Sequence, residues 1–548
     1  MGAVESCGKC CSPQEMSANQ KIEGGQGVLK HGAMHIVQNR GASSAYDLNM
    51  HNINAVLSSG KNSSVVQAKH LASKQVYACK TIRISSLQSQ KWVEDLEKIK
   101  TLDNLHICKL YEAWEERKRL YLIFEFCRGG DLTSLLRAKP ANEGTISVLV
   151  RQMVGAVTHL HQHDIVHGDI KCQDFLFAEP VMADTKAFQM QLKMIDFGFV
   201  ARYCKSVQED LLGEGEHATK HRKHMLQDQR LPICLAPEQL DNSGPAPSGA
   251  DVWALGVLCF FLIAGKPPFS RTGCKWKENI RAGAWDFEHE RTWQGVTKEA
   301  KDFIRSCLTR SPRDRPAAAE MLEAPWMILA KEVFDESLQL HESKLGQGKF
   351  KGTISILDAP LPSAQTILMS FKRMHQLGAL EKAAMTAAAY HLSGEKMTTL
   401  RNTFESLDRN GDGVLSAKEL QDGLQASGVS APELMEILQD VDLDGDGVIE
   451  YTEFITATYE FQRSMQDHMV ETVFRKFDQD GSGKVSKAEI LQALGHKEKQ
   501  KDLRASFPNL DLDVAVEELD KNGDGQISHD EFLQLLHRSS CRAHHRAH

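Results

Sequence analysis

Four segments in the C-terminal part of the chain place oxygen-bearing side chains at regular spacing around a glycine. Each segment has carboxylate, amide or hydroxyl oxygens at positions one, three, five and twelve, and glycine at six. This spacing suits Ca²⁺. The ion takes about six to eight hard oxygen ligands, and the glutamate at position twelve completes its coordination shell. Position seven contributes its backbone carbonyl. The predicted ligands are Asp408, Asn410, Asp412, Val414 and Glu419; Asp442, Asp444, Asp446, Val448 and Glu453; Asp478, Asp480, Ser482, Lys484 and Glu489; and Asp520, Asn522, Asp524, Gln526 and Glu531.

The four segments also share an aliphatic residue at position eight, where paired loops exchange a short β-bridge. These residues are Leu415, Ile449, Val485 and Ile527. One such loop alone could be a solvated acidic turn, or a loop that has lost its metal. Four intact loops in succession predict four Ca²⁺-binding EF-hands. The third loop has fewer acidic ligands than the second, so we expect it to bind Ca²⁺ more weakly.

A second group of reactive side chains follows a fixed order earlier in the chain. The landmarks are Lys80 at the end of a β-type run, residues 167–174 with two aspartates and a lysine, Asp196 in an Asp-Phe-Gly triplet, residues 236–238, Asp251 and Arg315. This order resembles that of protein kinases, from the strand lysine through the catalytic loop to the end of the activation segment. In that arrangement we expect Arg315 to pair with Glu238.

With the four loops added, the chain resembles the calcium-dependent protein kinase family over about residues 51–540. Segments 368–374, 380–385 and 391–395 match the junction between the two parts of that family. The resemblance implies an α+β fold, a bilobal protein kinase fold followed by an all-α calmodulin-like domain with four EF-hands. It also implies transfer of the ATP γ-phosphate to Ser or Thr hydroxyls of proteins, with ATP, Mg²⁺ and Ca²⁺ as cofactors.

The resemblance assigns roles to individual residues, because phosphoryl transfer depends on positioning and charge neutralisation. Asp169 would orient the substrate hydroxyl and accept its proton, and Lys171 would stabilise the moving phosphoryl group. Asp174 and Asp196 would hold Mg²⁺. Asp131 would recognise substrate arginine, which implies protein substrates with Ser or Thr near basic residues. The implied ATP-binding residues are Leu57, Ser58, Gly60, Val65, Ala78, Lys80, Glu125 and Cys127, with Asp95 as the helix partner of Lys80.

Several residues depart from the kinase pattern. Ser58 and Ser63 replace two expected glycines, and the added Cβ restricts close approach to phosphate. Asp174 replaces an asparagine, Gly168 replaces an arginine, and Leu231 lies where a threonine is expected. These departures leave a second interpretation open, in which a catalytically weak or inactive kinase fold serves as a Ca²⁺-switched binding platform.

A basic amphipathic run over residues 367–392 is predicted to be helical. It places Leu368, Phe371, Leu377 and Leu380 among lysines and an arginine. Open EF-hand lobes bind helices of this type. We therefore expect autoinhibition that is relieved when Ca²⁺-loaded EF-hands engage this helix. The alternative is an ordinary helix that packs on the kinase.

Composition sets outer limits on the function. The 548 residues are 41% hydrophobic and 25% charged, values typical of soluble globular proteins. A net charge of −8 argues against nucleic-acid binding. The 13 cysteines show no disulfide-type spacing, which favours a reducing compartment. We expect a cytoplasmic monomer.

The first residues suggest a membrane connection. Residues 1–6 fit the pattern for N-myristoylation at Gly2, and Cys7, Cys10 and Cys11 could carry a second acyl chain. Two acyl chains anchor a protein stably where one does not. The alternative is an unmodified leader.

The sequence predicts four parts. These are a leader with the acylation signal over 1–50, a kinase domain over 51–327, a connector and autoinhibitory junction over 328–395, and an EF-hand domain over 396–548. Short strands are expected at 75–79 and 120–124, a helix around 91–100, a buried helix at 252–265 and a mixed segment over 331–366 that serves as a connector.

Overall fold

A computed structural model gives the structure of most of the kinase part and of the EF-hand loops. It describes residues 42, 45–48, 56–59, 63–71, 74–83, 96, 98–116, 118–133, 135, 141–182, 184–196, 232–241, 247–269, 275–287, 291–346, 361–375, 377, 379–390, 397–443, 445–459, 474, 477–478, 482–493, 516 and 519–533. Predictions at Gly2, Cys7, Cys10, Cys11, Gly60, Asp95, Asp444 and Asp480 lie outside the described residues.

The first lobe is a six-stranded antiparallel sheet. Its strands run β1 Tyr46–Asp47, β2 Val56–Ser59, β3 Ser63–His70, β4 Val76–Arg83, β5 Leu110–Glu116 and β6 Arg119–Phe124. The order is β1-β3-β4-β6-β5, with β2 paired to β3. In β4, buried Tyr77 and Cys79 alternate with partly exposed Ala78 and Lys80. This alternation places the Lys80 side chain on the face of the sheet opposite buried Tyr77 and Cys79.

The second lobe is mainly helical. Its elements are α1 Glu143–Gln162, β7 Phe175–Phe177, β8 Leu192–Met194, α2 Pro237–Leu240, α3 Ser248–Ala264, α4 Trp276–Ala282, α5 Lys298–Cys307, α6 Ala318–Leu322 and α7 Pro325–Gly346. Helix α3 contains the predicted buried segment and is confirmed as a core helix, with most of its residues buried. Among helices of the described residues, none is long and apolar enough to cross a membrane.

The structure adds detail to the predicted junction. Residues 331–346 of the predicted connector continue helix α7. Phe334 and Leu338 explain this, because they are buried against Val148 and Phe188. The helical run predicted over 367–392 is confirmed as helical, but it forms two helices, α8 Ala364–His375 and α9 Ala379–Tyr390. The sequence between α8 and α9 contains Gly378, and glycine is costly inside a helix.

The EF-hand part contains four loops that form two pairs. Its elements are α10 Thr398–Leu407, β9 Leu415–Ser416, α11 Ala417–Gly423, α12 Ala431–Val441, β10 Val448–Ile449, α13 Tyr451–Thr458, β11 Lys484–Ser486, α14 Lys487–Ala493 and β12 Gln526–Ser528. Leu415 pairs with Ile449, and Val485 with Ile527. The predicted bridge between position-eight residues is thus confirmed in both pairs.

Candidate active site and calcium loops

The sheet register gathers several predicted nucleotide-binding residues. Val65 lies between Ser58 on β2 and Lys80 on β4. Ala78 pairs with Phe124, the last residue of β6 before the predicted hinge. Leu57 is exposed on β2. These positions therefore form one surface between the glycine-loop region and the hinge.

The predicted hinge is held by contacts to Glu125. Its backbone N–H donates to the Lys109 carbonyl at 2.9 Å, and its Oε2 lies 3.1 Å from the Nζ of Lys193. The thiol of Cys108 donates to the Glu125 carbonyl at 3.4 Å. Cys127 follows and is partly exposed. These contacts fix the backbone at 125 at the edge of the predicted adenine site.

Lys80 reaches Asp196, which begins the Asp-Phe-Gly triplet. The Nζ of Lys80 donates to Asp196 Oδ1. Burial alone would raise the pKa of Asp196, but the ammonium groups of Lys80 and Lys171 lower it below its ordinary value. The carboxylate is therefore charged. It is also partly exposed. Its hard oxygens fit Mg²⁺, and Lys80 adds a positive charge beside them.

The catalytic loop brings three predicted residues together. The Nζ of Lys171 lies 2.9 Å from Asp169 Oδ2 and 3.6 Å from Asp174 Oδ1. Burial would lower the pKa of Lys171, but the carboxylates of Asp169 and Asp174 raise it well above its usual value. Lys171 is therefore a fixed cation between the predicted base and a predicted metal ligand.

Asp174 differs from its neighbours because it is almost fully buried. Burial raises its pKa to about 7, although Lys171 and His167 act in the opposite direction. Without a cation, a carboxylate in this place is only partly ionised near neutral pH. A bound Mg²⁺ would favour the ionised form. Asp174 and Asp196 are close enough to influence each other's charge, so this pair fits the metal that kinases use.

The structure explains the departure at Gly168. Its φ is 75°, a left-handed conformation that glycine adopts without steric cost. Its N–H donates to Asp251 Oδ1 at 2.7 Å, and its carbonyl accepts from Gln239 Nε2 at 2.8 Å. Asp251 also accepts from the His167 N–H at 2.9 Å. These bonds hold the backbone before Asp169 from both sides. No sequence motif indicated the role of Gln239.

The predicted ion pair between Glu238 and Arg315 is confirmed. The guanidinium Nη1 and Nη2 atoms lie 2.7 and 2.9 Å from the two carboxylate oxygens, and the arginine side chain is fully buried. This pair joins the end of the activation segment to the helical lobe.

Asp131 lies beside the catalytic loop, where it bridges to Leu176. Its Oδ1 accepts from the N–H of Thr133 at 3.1 Å and from the Thr133 hydroxyl. The carboxylate thus caps its own turn. Its recognition of substrate arginine stays a prediction.

The first two Ca²⁺ loops have the form that a cation requires. Asp408 accepts from the N–H groups of Gly411 and Gly413, at 2.6 and 3.0 Å. Burial, and then the proximity of Asp412, raises the pKa of Asp408 to about 8. Burial likewise raises the pKa of Asp442 to about 6, with Asp446 adding to the effect. Crowded, partly buried carboxylates are stabilised by a bound cation, so these residues fit Ca²⁺.

In the first two loops, the position-twelve glutamate folds back across the loop. Glu419 Oε1 accepts from the Arg409 N–H at 2.9 Å, and Glu453 Oε1 accepts from the Leu443 N–H at 2.6 Å. Glu489 Oε2 accepts from Ser486 N–H, and Glu531 Oε2 from Ser528 N–H, each at 2.8 Å. All four glutamates are therefore positioned by their own loops.

The second pair of loops contains an ion pair that the sequence did not predict. Lys484 at position seven of the third loop donates from Nζ to Asp524 Oδ2 at position five of the fourth. This contact lowers the pKa of Asp524. The ammonium group therefore occupies an oxygen of a predicted Ca²⁺ ligand.

The first EF-hand pair is bonded directly to the kinase part. Thr452 donates from its N–H to Asp103 Oδ2 at 2.8 Å and accepts from Lys109 Nζ at 2.6 Å. Arg151 Nη2 on α1 donates to the Arg409 carbonyl at 2.8 Å. These hydrogen bonds join Asp103, Lys109 and Arg151 of the kinase part to Arg409 and Thr452 of the EF-hand pair, and we call this surface the lobe interface. Sequence reasoning missed all of these residues, because their charges resemble those of ordinary solvated surface.

The kinase domain and EF-hands also appear in comparisons with known proteins. Residues 51–327 match the protein kinase domain, and residues 397–459 and 467–536 match the EF-hand domain pair. Calcium-dependent protein kinase 5 of Plasmodium berghei (strain Anka) is 26% identical over 451 residues, which cover 81% of this chain and 72% of that protein. Calcium-dependent protein kinase 9 of Oryza sativa subsp. japonica is 28% identical over 434 residues, 77% and 67% of the two chains.

A third relative, calcium-dependent protein kinase 21 of Arabidopsis thaliana, is 28% identical over 454 residues, which cover 80% of this chain and 75% of that protein. The relatives therefore align across both the catalytic and the EF-hand parts. The chain belongs to the protein kinase family, its kinase domain is followed by paired EF-hands, and it is similar across both parts to calcium-dependent protein kinases.

Proposed function

We propose that Ca²⁺ switches this Ser/Thr kinase by determining where helix α8 binds. The observation that carries the proposal is the burial of the apolar face of α8 within the EF-hand part. Phe371 is fully buried, and its ring centroid lies 6.1 Å from that of Phe454. Ile367, Leu368 and Met374 are buried in the same cluster.

Charged contacts add to this apolar contact. Lys372 Nζ lies 2.6 Å from Glu433 Oε1, and Lys382 Nζ on α9 lies 2.6 Å from Asp440 Oδ1. A basic amphipathic helix in an acidic EF-hand groove is a common recognition mode. While α8 is bound in this way, its apolar face is unavailable to the kinase part.

The lobe interface gives the switch a structural basis. Lys109 contacts Thr452 through its side chain and Glu125 through its backbone. The EF-hand pair is therefore one residue away from the predicted hinge. Ca²⁺ binding opens sensor EF-hands, so it favours the arrangement in which the open groove holds α8.

Chemistry at the active site follows from the charges already described. ATP supplies the γ-phosphate, and Mg²⁺ neutralises phosphate charge when bound. Asp174 and Asp196 would hold the metal, and Lys80 would contact the phosphates. Asp169 would orient the attacking hydroxyl and accept its proton, while Lys171 would stabilise negative charge on the transferred group.

The experiment that tests the switch is a Ca²⁺ titration of kinase activity in full-length Glu453→Gln. Loss of the bidentate ligand in loop two should remove most Ca²⁺ activation. Glu436→Gln is the matched control, because Glu436 is exposed on α12 in the same EF-hand pair and lies outside the loops. An unaltered Ca²⁺ response in Glu453→Gln would contradict the proposal.

We further propose that substrates carry basic residues near the phosphorylated Ser or Thr. Asp131 supports this by its position and charge. Asp131→Asn keeps an acceptor for Thr133 while removing the charge, so it should raise KM for an arginine-containing peptide and leave kcat nearly unchanged. An equal KM for both proteins would contradict the assignment.

We also propose that the protein is a cytoplasmic monomer that reaches membranes through acylation of Gly2 and of Cys7, Cys10 or Cys11. Residues 1–6 support this by their fit to the myristoylation pattern. In cells, Gly2→Ala should abolish incorporation of labelled myristate and shift the protein out of the membrane fraction. Equal incorporation would contradict the assignment, and sedimentation velocity tests the monomer.

A further inference from the structure

A group of metal-binding side chains lies where the end of α1 meets the second EF-hand loop. His159 in the last turn of α1, His163 directly after the end of α1, and Glu450 at position nine of the loop each bring a ligand atom to this place. The three ligand atoms all lie within 4.8 Å of one another. His159 and Glu450 are buried, and His163 is half-buried. The group contains one carboxylate and two imidazoles, so it differs from the oxygen-only Ca²⁺ loops.

His159 is the unusual member of the group. Its side chain is only 1% exposed, yet neither ring nitrogen has a hydrogen-bond partner. Buried polar atoms are rarely left unpaired, because they lose water without gaining a replacement. Burial lowers the pKa of His159 to about 3, so the ring is neutral and retains a lone pair. A ligand beside the ring would satisfy that lone pair.

His163 also has a ring nitrogen whose lone pair can bind a ligand. Its Nδ1 lies 2.9 Å from the His159 carbonyl oxygen. Since a carbonyl only accepts, Nδ1 must carry the proton, and Nε2 carries the lone pair. Metal-binding histidines commonly donate their second ring N–H to a backbone carbonyl in this way. The two rings are also adjacent at the C-terminal end of α1, with ring centroids 4.4 Å apart.

We propose that His159, His163 and Glu450 bind one divalent transition metal ion of the zinc class, which links the kinase part to the first EF-hand pair. Two imidazoles and a carboxylate favour Zn²⁺ over Ca²⁺ or Mg²⁺, which prefer oxygen ligands. A tetrahedral Zn²⁺ needs its ligand atoms about 3.3 Å apart, given bonds of about 2.0–2.1 Å. The half-buried His163 ring can make the short approach, and water would be the fourth ligand.

The site lies within the lobe interface already described. Glu450 is two residues before Thr452, which donates to Asp103, and α1 also carries Arg151. A metal ion at this place would add bonds between the same two parts of the molecule. It would therefore stabilise the EF-hand pair in its observed position. This inference does not depend on the Ca²⁺ switch, because the ligands are defined by geometry alone.

The experiment measures Zn²⁺ stoichiometry in the full chain saturated with Ca²⁺ after removal of transition metals. Wild-type protein should bind one more equivalent of Zn²⁺ than either His163→Gln or Glu450→Gln. Glu436→Gln serves as the matched control and should bind as wild type. Equal numbers of equivalents in wild type and both variants would overturn the proposal. Unchanged thermal unfolding of the metal-free variants would show that their loss of Zn²⁺ is not a loss of fold.

Co²⁺ binding to His163→Cys provides a second readout that a merely structural role would not produce. The thiolate would replace an imidazole as ligand, so the Co²⁺ complex should gain a sulfur-to-metal charge-transfer band relative to wild type. The absence of that added band would overturn the proposal. Both readouts are independent of kinase activity, so an inactive protein would not obscure the result.

Discussion

Replacing Phe371 with alanine should strongly weaken the binding of α8 by the EF-hand part. The ring is fully buried and packs edge-to-face on Phe454. Truncation of a buried phenylalanine costs about 3–5 kcal/mol, because transfer free energy is lost and a cavity remains. At the lower value, the engaged arrangement loses a factor of about 100 relative to the released one. Kinase activity at a Ca²⁺ concentration that half-activates wild type should therefore fall to a small fraction.

Met369→Ala is the matched control for this prediction. Met369 lies on the same helix two residues earlier, but it is 68% exposed. Its truncation should leave both the Ca²⁺ midpoint and the maximal activity close to wild type. The assay is phosphate transfer to a peptide across a Ca²⁺ titration, with both full-length variants measured in parallel. If Phe371→Ala and Met369→Ala gave the same midpoint and maximum, the burial of α8 would have no role in activation.

Three further predictions follow from charges in the structure. Lys484→Gln frees Asp524 Oδ2 and should tighten Ca²⁺ binding at loop four by up to about fivefold, as measured by calorimetry; weaker binding would contradict this. In metal-free protein, folded Asp174 keeps its proton up to about pH 7 while the unfolded residue loses it near 3.8, so stability falls as pH rises between these values. In Asp174→Asn, the free energy of unfolding measured with urea should therefore fall less over this pH range, by up to about 4 kcal/mol. An equal fall in wild type and variant would contradict this prediction. Glu238→Gln leaves the Arg315 guanidinium buried without a counter-charge and should cost about 3 kcal/mol of unfolding free energy; an unchanged denaturant midpoint would contradict it.

Local motifs made much of this molecule predictable. Loop spacing correctly predicted the EF-hands, and the aliphatic residue at position eight correctly predicted the bridge between Leu415 and Ile449. The pairing of Glu238 with Arg315 was equally predictable, because both belong to fixed landmarks of the kinase pattern. In these cases a short sequence motif determines the local structure.

Long-range contacts were not predictable in the same way. Residues 331–346 form a helix because Phe334 and Leu338 find buried partners far away in sequence, and nothing local specifies that burial. The sequence does not indicate that Arg151 and Thr452 lie in the lobe interface, because charged and hydroxyl side chains are equally common on solvent-exposed surfaces. The departure at Gly168 could not be explained from the sequence, because the positive φ of Gly168 and its hydrogen bond to Asp251 are set by the fold.

Labelled-phosphate transfer from Mg·ATP to an arginine-containing Ser/Thr peptide tests the central claim most directly. Wild-type protein should transfer phosphate in Ca²⁺ and far less in chelator. Asp196→Ala, which lacks the carboxylate paired with Lys80, should transfer none in either condition. Transfer that is equal with and without Ca²⁺, or absent from wild type in both, would contradict the account of a Ca²⁺-switched kinase.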